Sequence, residues 1–285
     1  MDNQEPAEIL WHYTDLAGFQ QIMMPGAWLY GTHYRFFSDP QEGIYSEDLP
    51  HYSTFVTCFT EKEDNNRLWK MWEGKTFCIG FSRKALLKAA QYIFDLEYLM
   101  NETNEMNELL SELNDIRFYK VLYSDNPKTD YDNLINEKMK ELNIIEDEKK
   151  KKLNIREDKK IEDKRKEDEK KEDILRKNYF LRFKRKKFST EAEWRIVRNY
   201  NDIPQNQVEW IANKPRLPLF PINHTCMIKR IIYKPKDLRN ASIYEKIAEI
   251  GCQNLGIKIP IAQTKHCSLV PPTTECHSEK LTPPH

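Results

Sequence analysis

The chain has 285 residues, of which 32% are charged and 39% hydrophobic, and its 45 basic residues balance its 45 acidic ones. This length allows one large domain or two small ones. The zero net charge excludes a protein held on nucleic acid or acidic lipid by its overall field. No apolar run approaches the roughly 20 residues that span a bilayer, and the N-terminus does not resemble a signal peptide. With its scattered cysteines, the sequence predicts a cytosolic, reduced protein without a membrane partner.

The N-terminal third alternates short apolar strands with helices. Strand-forming residues predict strands at residues 10–13, 28–30, 53–59 and 76–81. Apolar residues at helical spacing predict helices that begin after Asp15, after the polar residues 60–64 and after Ser82. A turn-rich loop with the sequence SDPQEG separates the second strand from the third.

The rest of the chain follows a less regular order. Helices are predicted at residues 96–115, 130–177 and 242–255, and strands at residues 118–123, 179–185, 193–197 and 228–233. The strands and helices mix without a regular βαβ repeat. This order favours an α+β fold with an irregular, mostly antiparallel sheet and flanking helices.

Residues 146–173 form a charge-dense segment, in which 24 of 28 residues are charged, 12 of them basic and 12 acidic. In a helix this pattern allows many i,i+4 ion pairs, each worth about 0.2–0.5 kcal/mol. Ile145, Leu153 and Ile161 recur every eight residues, which is too sparse for a core stripe. We therefore expect a solvated helix or helical hairpin, with a docking arm for a protein partner as the functional alternative.

These features divide the chain into three parts. One α+β domain comprises residues 1–127 and 178–262, a charged helical insertion comprises residues 128–177, and a flexible tail comprises residues 263–285. The tail contains His266, Cys267, Cys276 and His277, which are residue types that bind zinc. Neither CxxC nor HxxxH spacing is present, so we expect no metal site.

Three short segments place polar residues against strands. His12 lies in the first strand, Asp39 and Glu42 lie in a DPxE turn, and Glu191 and Glu193 lie where an apolar strand begins. Each has an ordinary structural interpretation: a core histidine, a turn and a solvated strand edge. In the last segment, alternation along a strand predicts that Trp194 points away from Glu193 and into the core.

Taken in order, these segments resemble an uncharacterised bacterial domain family. The family is identified by an HYT start, a DPxE turn, a CFTE strand end before a tryptophan-bearing helix, a CIGF strand and an ExEWRIV strand. The resemblance covers residues 9–95 and 179–235, and the charge-dense segment interrupts it.

The same order more distantly resembles the ADP-ribosyltransferase fold of the poly-ADP-ribose polymerase and diphtheria-toxin branch. The resemblance implies a split sheet, NAD as the substrate and Glu193 as the catalytic carboxylate, with Glu191 as the first acid of an ExE pair. It also implies that His12, Tyr13 and Thr14 hold the adenosine ribose and the nicotinamide amide. Tyr13 departs from the small residue of that branch.

Further site residues follow from the same resemblance. Trp69 falls near the position of a tyrosine that stacks on nicotinamide, and Arg35, Arg67 and Arg195 are candidates to bind the pyrophosphate. A carboxylate beside the ribose would stabilise the oxocarbenium ion that forms when the N-glycosidic bond breaks. The implied protein is an ADP-ribosyltransferase or NAD glycohydrolase that serves in bacterial antiphage defence or as a toxin. Its acceptor is a protein, a nucleic acid or water.

Two other functions are open from the sequence. A phosphodiester-cleaving or nucleic-acid-binding effector would use His12, Asp39, Glu42 and Glu193 as a site of acidic residues and a histidine, and the basic segment at residues 182–188 would hold phosphate. A non-catalytic module would use the helical insertion to recruit a partner. No glycine-rich phosphate loop is present, which argues against Rossmann-type dinucleotide binding and against nucleotide kinases.

Overall fold

The computed structural model describes residues 7–37, 53–71, 74–100, 118–152, 161–200, 208–211 and 214–266. Its strands are β1 (Ile9–Thr14), β2 (Trp28–His33), β3 (Ser53–Thr60), β4 (Phe77–Ser82), β5 (Phe118–Lys120), β6 (Leu122–Ser124), β7 (Phe183–Arg185), β8 (Glu193–Tyr200), β9 (Glu209–Ile211), β10 (Lys214–Pro221), β11 (Ile228–Tyr233) and β12 (Ile261–Gln263). Its α-helices are α1 (Leu16–Ile22), α2 (Asn66–Met71), α3 (Arg83–Met100), α4 (Pro127–Lys152), α5 (Ile161–Tyr179), α6 (His224–Met227) and α7 (Ala241–Asn254). Short 3-10 segments lie at Tyr34–Phe36, Lys186–Glu191 and Leu238–Asn240.

Some sequence predictions fall outside the described residues. They include the DPxE turn with Asp39 and Glu42, the predicted helix at residues 101–115, residues 153–160 of the charge-dense segment, and Cys267, Cys276 and His277 of the tail. Within the described residues, no helix is long and apolar enough to cross a membrane.

One large sheet of ten strands organises the fold. Eight of them lie in the order β12-β11-β4-β1-β3-β2-β10-β9, and β8 pairs with β3 on one side and with β5 on the other. The pairs are antiparallel except for β11 with β12. β6 and β7 form a separate two-stranded parallel sheet. The fold is therefore α+β with a mostly antiparallel sheet and flanking helices, as the sequence predicts.

The large sheet divides at β3, because β1 and β2 share one edge of that strand. β1 meets β3 at Thr60, whereas β2 meets it at Phe55 and Val56. Residues 57–59 lie between these two contacts and have no partner strand on this edge among the described strands. The other edge of β3 pairs with β8 along its whole length.

Side chains replace strand pairing at this division. His12 Nδ1 lies 2.9 Å from the carbonyl oxygen of Cys58, and Thr57 Oγ1 donates to the carbonyl oxygen of Tyr30 at 2.7 Å. Gly31 allows the close approach of β2, because a Cβ at this position would lie 2.9 Å from the backbone nitrogen of Val56. The two hydrogen bonds join β1 and β2 to β3 at the place where the strand pairing is interrupted.

Both faces of the sheet are covered. On one face, α1, α3 and α7 pack on the main apolar core, which includes Phe55, Phe59, Trp194 and Ile196. On the other face, α4 and α5 pack over Val56, Tyr119 and Val197. A smaller cluster around α2 includes Trp11, Tyr13 and Trp69. Trp194 is 7% exposed and lies in the main core, which confirms its predicted direction.

The helical insertion contributes to the core, whereas the expectation of a solvated helix or helical hairpin concerned only its charge-dense segment, residues 146–173. Tyr131, Ile135 and Leu142 of α4 and Leu175 and Tyr179 of α5 are buried against the sheet. These five residues lie outside residues 146–173, so the composition of the charge-dense segment did not predict their burial. The strand predicted at residues 179–185 was also wrong in extent, because α5 continues through Tyr179 and only Phe183–Arg185 is extended.

The segment that begins the predicted tail is anchored. Asp64 accepts hydrogen bonds from Thr264 Oγ1, from the backbone N–H of Lys265 and from Trp69 Nε1. Burial would raise the pKa of Asp64, but these hydrogen bonds outweigh burial and lower it below its ordinary value. The chain is therefore held next to α2 as far as His266, the last residue that the structure describes.

Candidate functional site

Glu191 and Glu193 meet Lys184 and Arg195 in a buried group that we call the charge cluster. Lys184 Nζ donates to Oε2 of Glu191 at 2.7 Å and to Oε2 of Glu193 at 3.2 Å. Arg195 Nε donates to Oε1 of Glu193 at 2.8 Å. None of the four residues is more than 9% exposed. Two carboxylates and two cations leave the cluster without net charge.

A left-handed residue brings the two carboxylates together. Ala192 has φ 45° and ψ 52° and lies between the 3-10 segment Lys186–Glu191 and β8. This conformation costs about 1–2 kcal/mol in a residue that has a Cβ. Hydrogen bonds on both sides hold it, since Ala192 N–H donates to Ser189 O and Glu61 N–H donates to Ala192 O. The resulting turn directs Glu191 back toward Lys184.

Glu193 is ionised at neutral pH despite its burial. Burial alone would raise its pKa, but the charges of Arg195 and Lys184, with hydrogen bonds from Arg195 and the Cys58 thiol, lower the pKa to about 2. The backbone N–H of Glu193 donates to Tyr123 Oη at 2.9 Å. The carboxylate is thus a fixed negative charge at the start of β8.

Aromatic rings border the two cations of the cluster. The Arg195 guanidinium lies 5.2 Å from the ring centroid of Phe37, and Lys184 Nζ lies 4.8 Å from that of Phe188. Arg195 also donates to the carbonyl oxygen of Leu181 at 2.6 Å. Phe37 and Phe188 are half-buried, so the cluster lies close to the surface beneath these rings.

Burial of four charges is informative in itself. Each buried ion costs several kcal/mol of desolvation, and apolar residues of similar volume often stabilise a fold equally well or better. Strongly perturbed, buried ionisable groups concentrate at functional sites. The charge cluster is therefore the best candidate for a site of chemistry among the described residues.

His12 does not join the charge cluster. Trp11, Thr60 and Glu193 are aligned across β1, β3 and β8, so their side chains share one face of the sheet. His12 follows Trp11 and points to the opposite face, where its ring centroid lies 5.7 Å from that of Phe59. The structure therefore does not assemble the pair of His12 and Glu193 that the resemblance implies.

His12 is a neutral donor at the division of the sheet. Burial lowers its pKa to about 4, and the charges of Lys75 and Arg216 act in the same direction, whereas Asp15 and the hydrogen bond to Cys58 oppose them. Because a carbonyl oxygen only accepts hydrogen bonds, the proton lies on Nδ1. The position of His12 is thus explained by the stability of the sheet.

Other predicted site residues lie in the core or at the surface. The Trp69 ring packs edge-on against Tyr13, with centroids 4.6 Å apart, and both side chains are buried with Thr14. Trp69 therefore does not present a face to a ligand in this conformation. Arg35 and Arg67 are exposed and are separate from the charge cluster, to which only Arg195 belongs among the three predicted arginines.

Sequence reasoning missed three members of the site. Lys184 was assigned to the basic segment at residues 182–188 that would hold phosphate, and Cys58 and Tyr123 only to predicted strands. A usable signal was the single lysine within the aromatic run YFLRFKR, because a cation among buried rings needs a carboxylate partner. Glu191 was also expected to be a solvated neighbour, yet it is 4% exposed and ion-paired.

Comparison with known proteins adds no independent assignment. Searches of protein-family models, of curated proteins and of solved structures find no match for this chain. Among the described residues, no three histidine, cysteine or acidic side chains converge as a metal site requires. The geometry of the charge cluster therefore carries the functional argument.

We expect Lys184→Met to lower the free energy of unfolding by about 3–5 kcal/mol, because it leaves Glu191 and Glu193 buried without their shared cation. Urea unfolding measures the change. Lys187→Met, an exposed lysine of the same segment, is the matched control and should stay within about 0.5 kcal/mol of the wild type. Adding Glu191→Gln to Lys184→Met should restore part of the loss. Equal effects of the two lysine substitutions would contradict the assignment of a buried ion cluster.

We expect the stability of the fold to decrease as the pH falls from 6.5 toward 4, because the unfolded chain protonates His12 in this range and the folded chain does not. His12→Asn keeps an N–H donor near Cys58 and removes this titration. Burial also lowers the pKa of His33 to about 4. The variant should therefore lose about half as much stability as the wild type between about pH 7 and pH 5. Unfolding measured across this range tests the expectation, and an unchanged slope would contradict it.

Proposed function

We propose that the chain is an NAD-consuming enzyme of the ADP-ribosyltransferase type, with Glu193 as its catalytic carboxylate. The observation that carries the proposal is the convergence of Glu191 and Glu193 in one buried cluster, in which Glu193 is held ionised by Arg195 and Lys184. An ionised carboxylate in a site with little water exerts a stronger field than one in solvent.

The proposed reaction breaks the bond between the ribose C1′ and the nicotinamide nitrogen. The bonding electron pair leaves with nicotinamide, and positive charge develops on the ribose. Glu193 stabilises that charge, and an acceptor hydroxyl, amine or water then bonds to C1′ and releases its proton. Glu191, which pairs with the same lysine as Glu193, would orient the acceptor.

Access to the cluster requires movement in this proposal. Glu193 is 5% exposed, and Lys184, which donates to it at 3.2 Å, packs against the ring of Phe188. NAD would reach the carboxylate after the side chains of Lys184 and Phe188 move aside, while Arg195 remains paired with Glu193. His12 is on the opposite face, so other groups must hold the ribose. Such gated chemistry suits an effector of bacterial antiphage defence or a toxin, the setting that the family resemblance implies.

We expect the full chain, incubated with NAD, to release nicotinamide, either alone or with a bacterial lysate that supplies acceptors. Glu193→Gln should reduce release by about 100-fold or more, because it removes the charge that acts in the transition state. Chromatography of nicotinamide measures the rate. Glu249→Gln, a surface carboxylate on α7, is the control and should retain the wild-type rate.

Two results would overturn the proposal. One is absence of release under both conditions by a chain shown to be folded by circular dichroism. The other is release that survives Glu193→Gln. If the chain also fails to bind nucleic acid, the interpretation as a non-catalytic partner-binding module would be favoured.

One observation favours nucleic-acid binding as a second candidate function. Lys187 Nζ, which is exposed, lies 4.9 Å from the ring centroid of Phe188, and the Arg185 guanidinium lies 5.5 Å from it, beside Lys184 of the charge cluster at 4.8 Å. Cations around an aromatic ring are a combination that binds phosphate and stacks on an unpaired base.

For this candidate we expect salt-dependent binding of single-stranded RNA or DNA by the full chain. Lys187→Met should weaken binding and reduce the salt dependence by about one unit of slope. Fluorescence anisotropy at several salt concentrations measures both quantities. Lys246→Met on α7 serves as the control, and equal affinity of all three proteins would exclude this surface.

A further inference from the structure

A pocket of about 470 Å³ lies where the first turns of α3 meet the end of β10 and helix α6. Its volume is within the range of about 300–1,000 Å³ that is typical of small-molecule sites. The pocket is on the sheet face that α3 covers, opposite the charge cluster. Neither His12 nor Glu193 lines it.

The floor of the pocket is apolar. Ala85 and Ala89 line it from α3, Phe220 from β10 and Met227 from α6. The small side chains of the two alanines leave space between α3 and the larger side chains of Phe220 and Met227. These two larger residues belong to the main core. A rigid apolar surface of this kind accommodates an apolar body.

Two lysines lie at the rim of the pocket. Lys84 and Lys88 are four residues apart on α3, so they project from one face of the helix. Both are exposed, and no carboxylate of the described residues lies within salt-bridge distance of either. The first turn of α3 also contains no acidic residue. The rim therefore carries two cations that form no ion pair within the described part of the chain.

Besides these lysines, the polar side chains that line the pocket are those of Ser82, Asn223 and Cys226. Asn223 lines it, but its Oδ1 already caps α6 and accepts a hydrogen bond from Thr225 Oγ1 at 2.8 Å. Such a lining offers few hydrogen-bond donors and acceptors for recognising the edge of a nucleobase. It is suited to a ligand whose body is apolar and whose single charged group is negative.

We propose that this pocket binds a small amphipathic anion. The apolar body lies on the surface formed by Ala85, Ala89, Phe220 and Met227, and the anionic head lies between Lys84 and Lys88. Binding here neither requires nor excludes the NAD chemistry proposed for the opposite face.

The test uses the full chain and 1-anilinonaphthalene-8-sulfonate, whose apolar rings carry one anionic group. Its fluorescence should report a saturable site. Decanoate should displace the probe, whereas decanol and decylammonium, which have the same chain length and a neutral or positive head, should displace it at least about tenfold less well.

Two sets of variants locate the site. Lys84→Met combined with Lys88→Met should weaken binding of the probe about tenfold, because both cations are lost. Lys166→Met combined with Lys170→Met, an exposed pair with the same spacing on α5, should leave the affinity unchanged. Ala85→Leu should weaken binding by filling the floor while keeping both lysines.

Thermal melts by circular dichroism establish that each variant is folded, and Ala85→Leu replaces the double variant if the latter is not. Wild-type affinity in the folded double variant or in Ala85→Leu would overturn the proposal. So would displacement by decylammonium that equals displacement by decanoate, or the absence of a saturable site. Nicotinamide release, measured in parallel, should be the same in these variants and the wild type.

Discussion

The antiparallel pairing of β3 with β8 is the contact on which the other features depend. It joins residues 53–60 to a strand that follows the helical insertion, and it aligns Thr60 with Glu193. β3 also holds both parts of the divided sheet, because β1 and β2 share its other edge. A shift of one residue in β8 would send Glu193 into the apolar core and Trp194 to the charged face. The register of this pair therefore determines where the charge cluster forms.

Shared ion pairs and hydrogen bonds offset the desolvation cost of burying the charge cluster. Lys184 serves two carboxylates, and Arg195 pairs with Glu193 and with a backbone carbonyl. The strained turn at Ala192 directs one of those carboxylates inward, so backbone strain and buried charge occur at the same place. Strain of this kind concentrates at functional sites. The division of the sheet, by contrast, is occupied by a neutral histidine and a threonine, which complete hydrogen bonding there.

Local patterns in the sequence predicted most strands and the helices that begin after Asp15 and Ser82, because apolar periodicity and capping act over a few residues. Alternation also placed Trp194 in the core. The relation between His12 and Glu193 was beyond such patterns, since it depends on registers among β1, β3 and β8, which are far apart in the chain. Lys184 was missed for a similar reason, because a turn separates it from its carboxylate partners. The left-handed residue of that turn is an alanine, a residue type that does not predict such a conformation.

The helical insertion leaves and re-enters the domain at adjacent strands, since β6 precedes α4, β7 follows α5, and these two strands pair. Its base is fixed by Tyr131 and Tyr179, which are buried. Because β6 and β7 are parallel, the chain leaves at the end of β6 and returns at the start of β7, and the pairing of these short strands fixes that separation however far the insertion extends. Evolution can lengthen or shorten the distal part by whole helical turns while the sheet keeps its geometry. The same property makes the distal part suitable for grafting a foreign peptide or a fluorescent label.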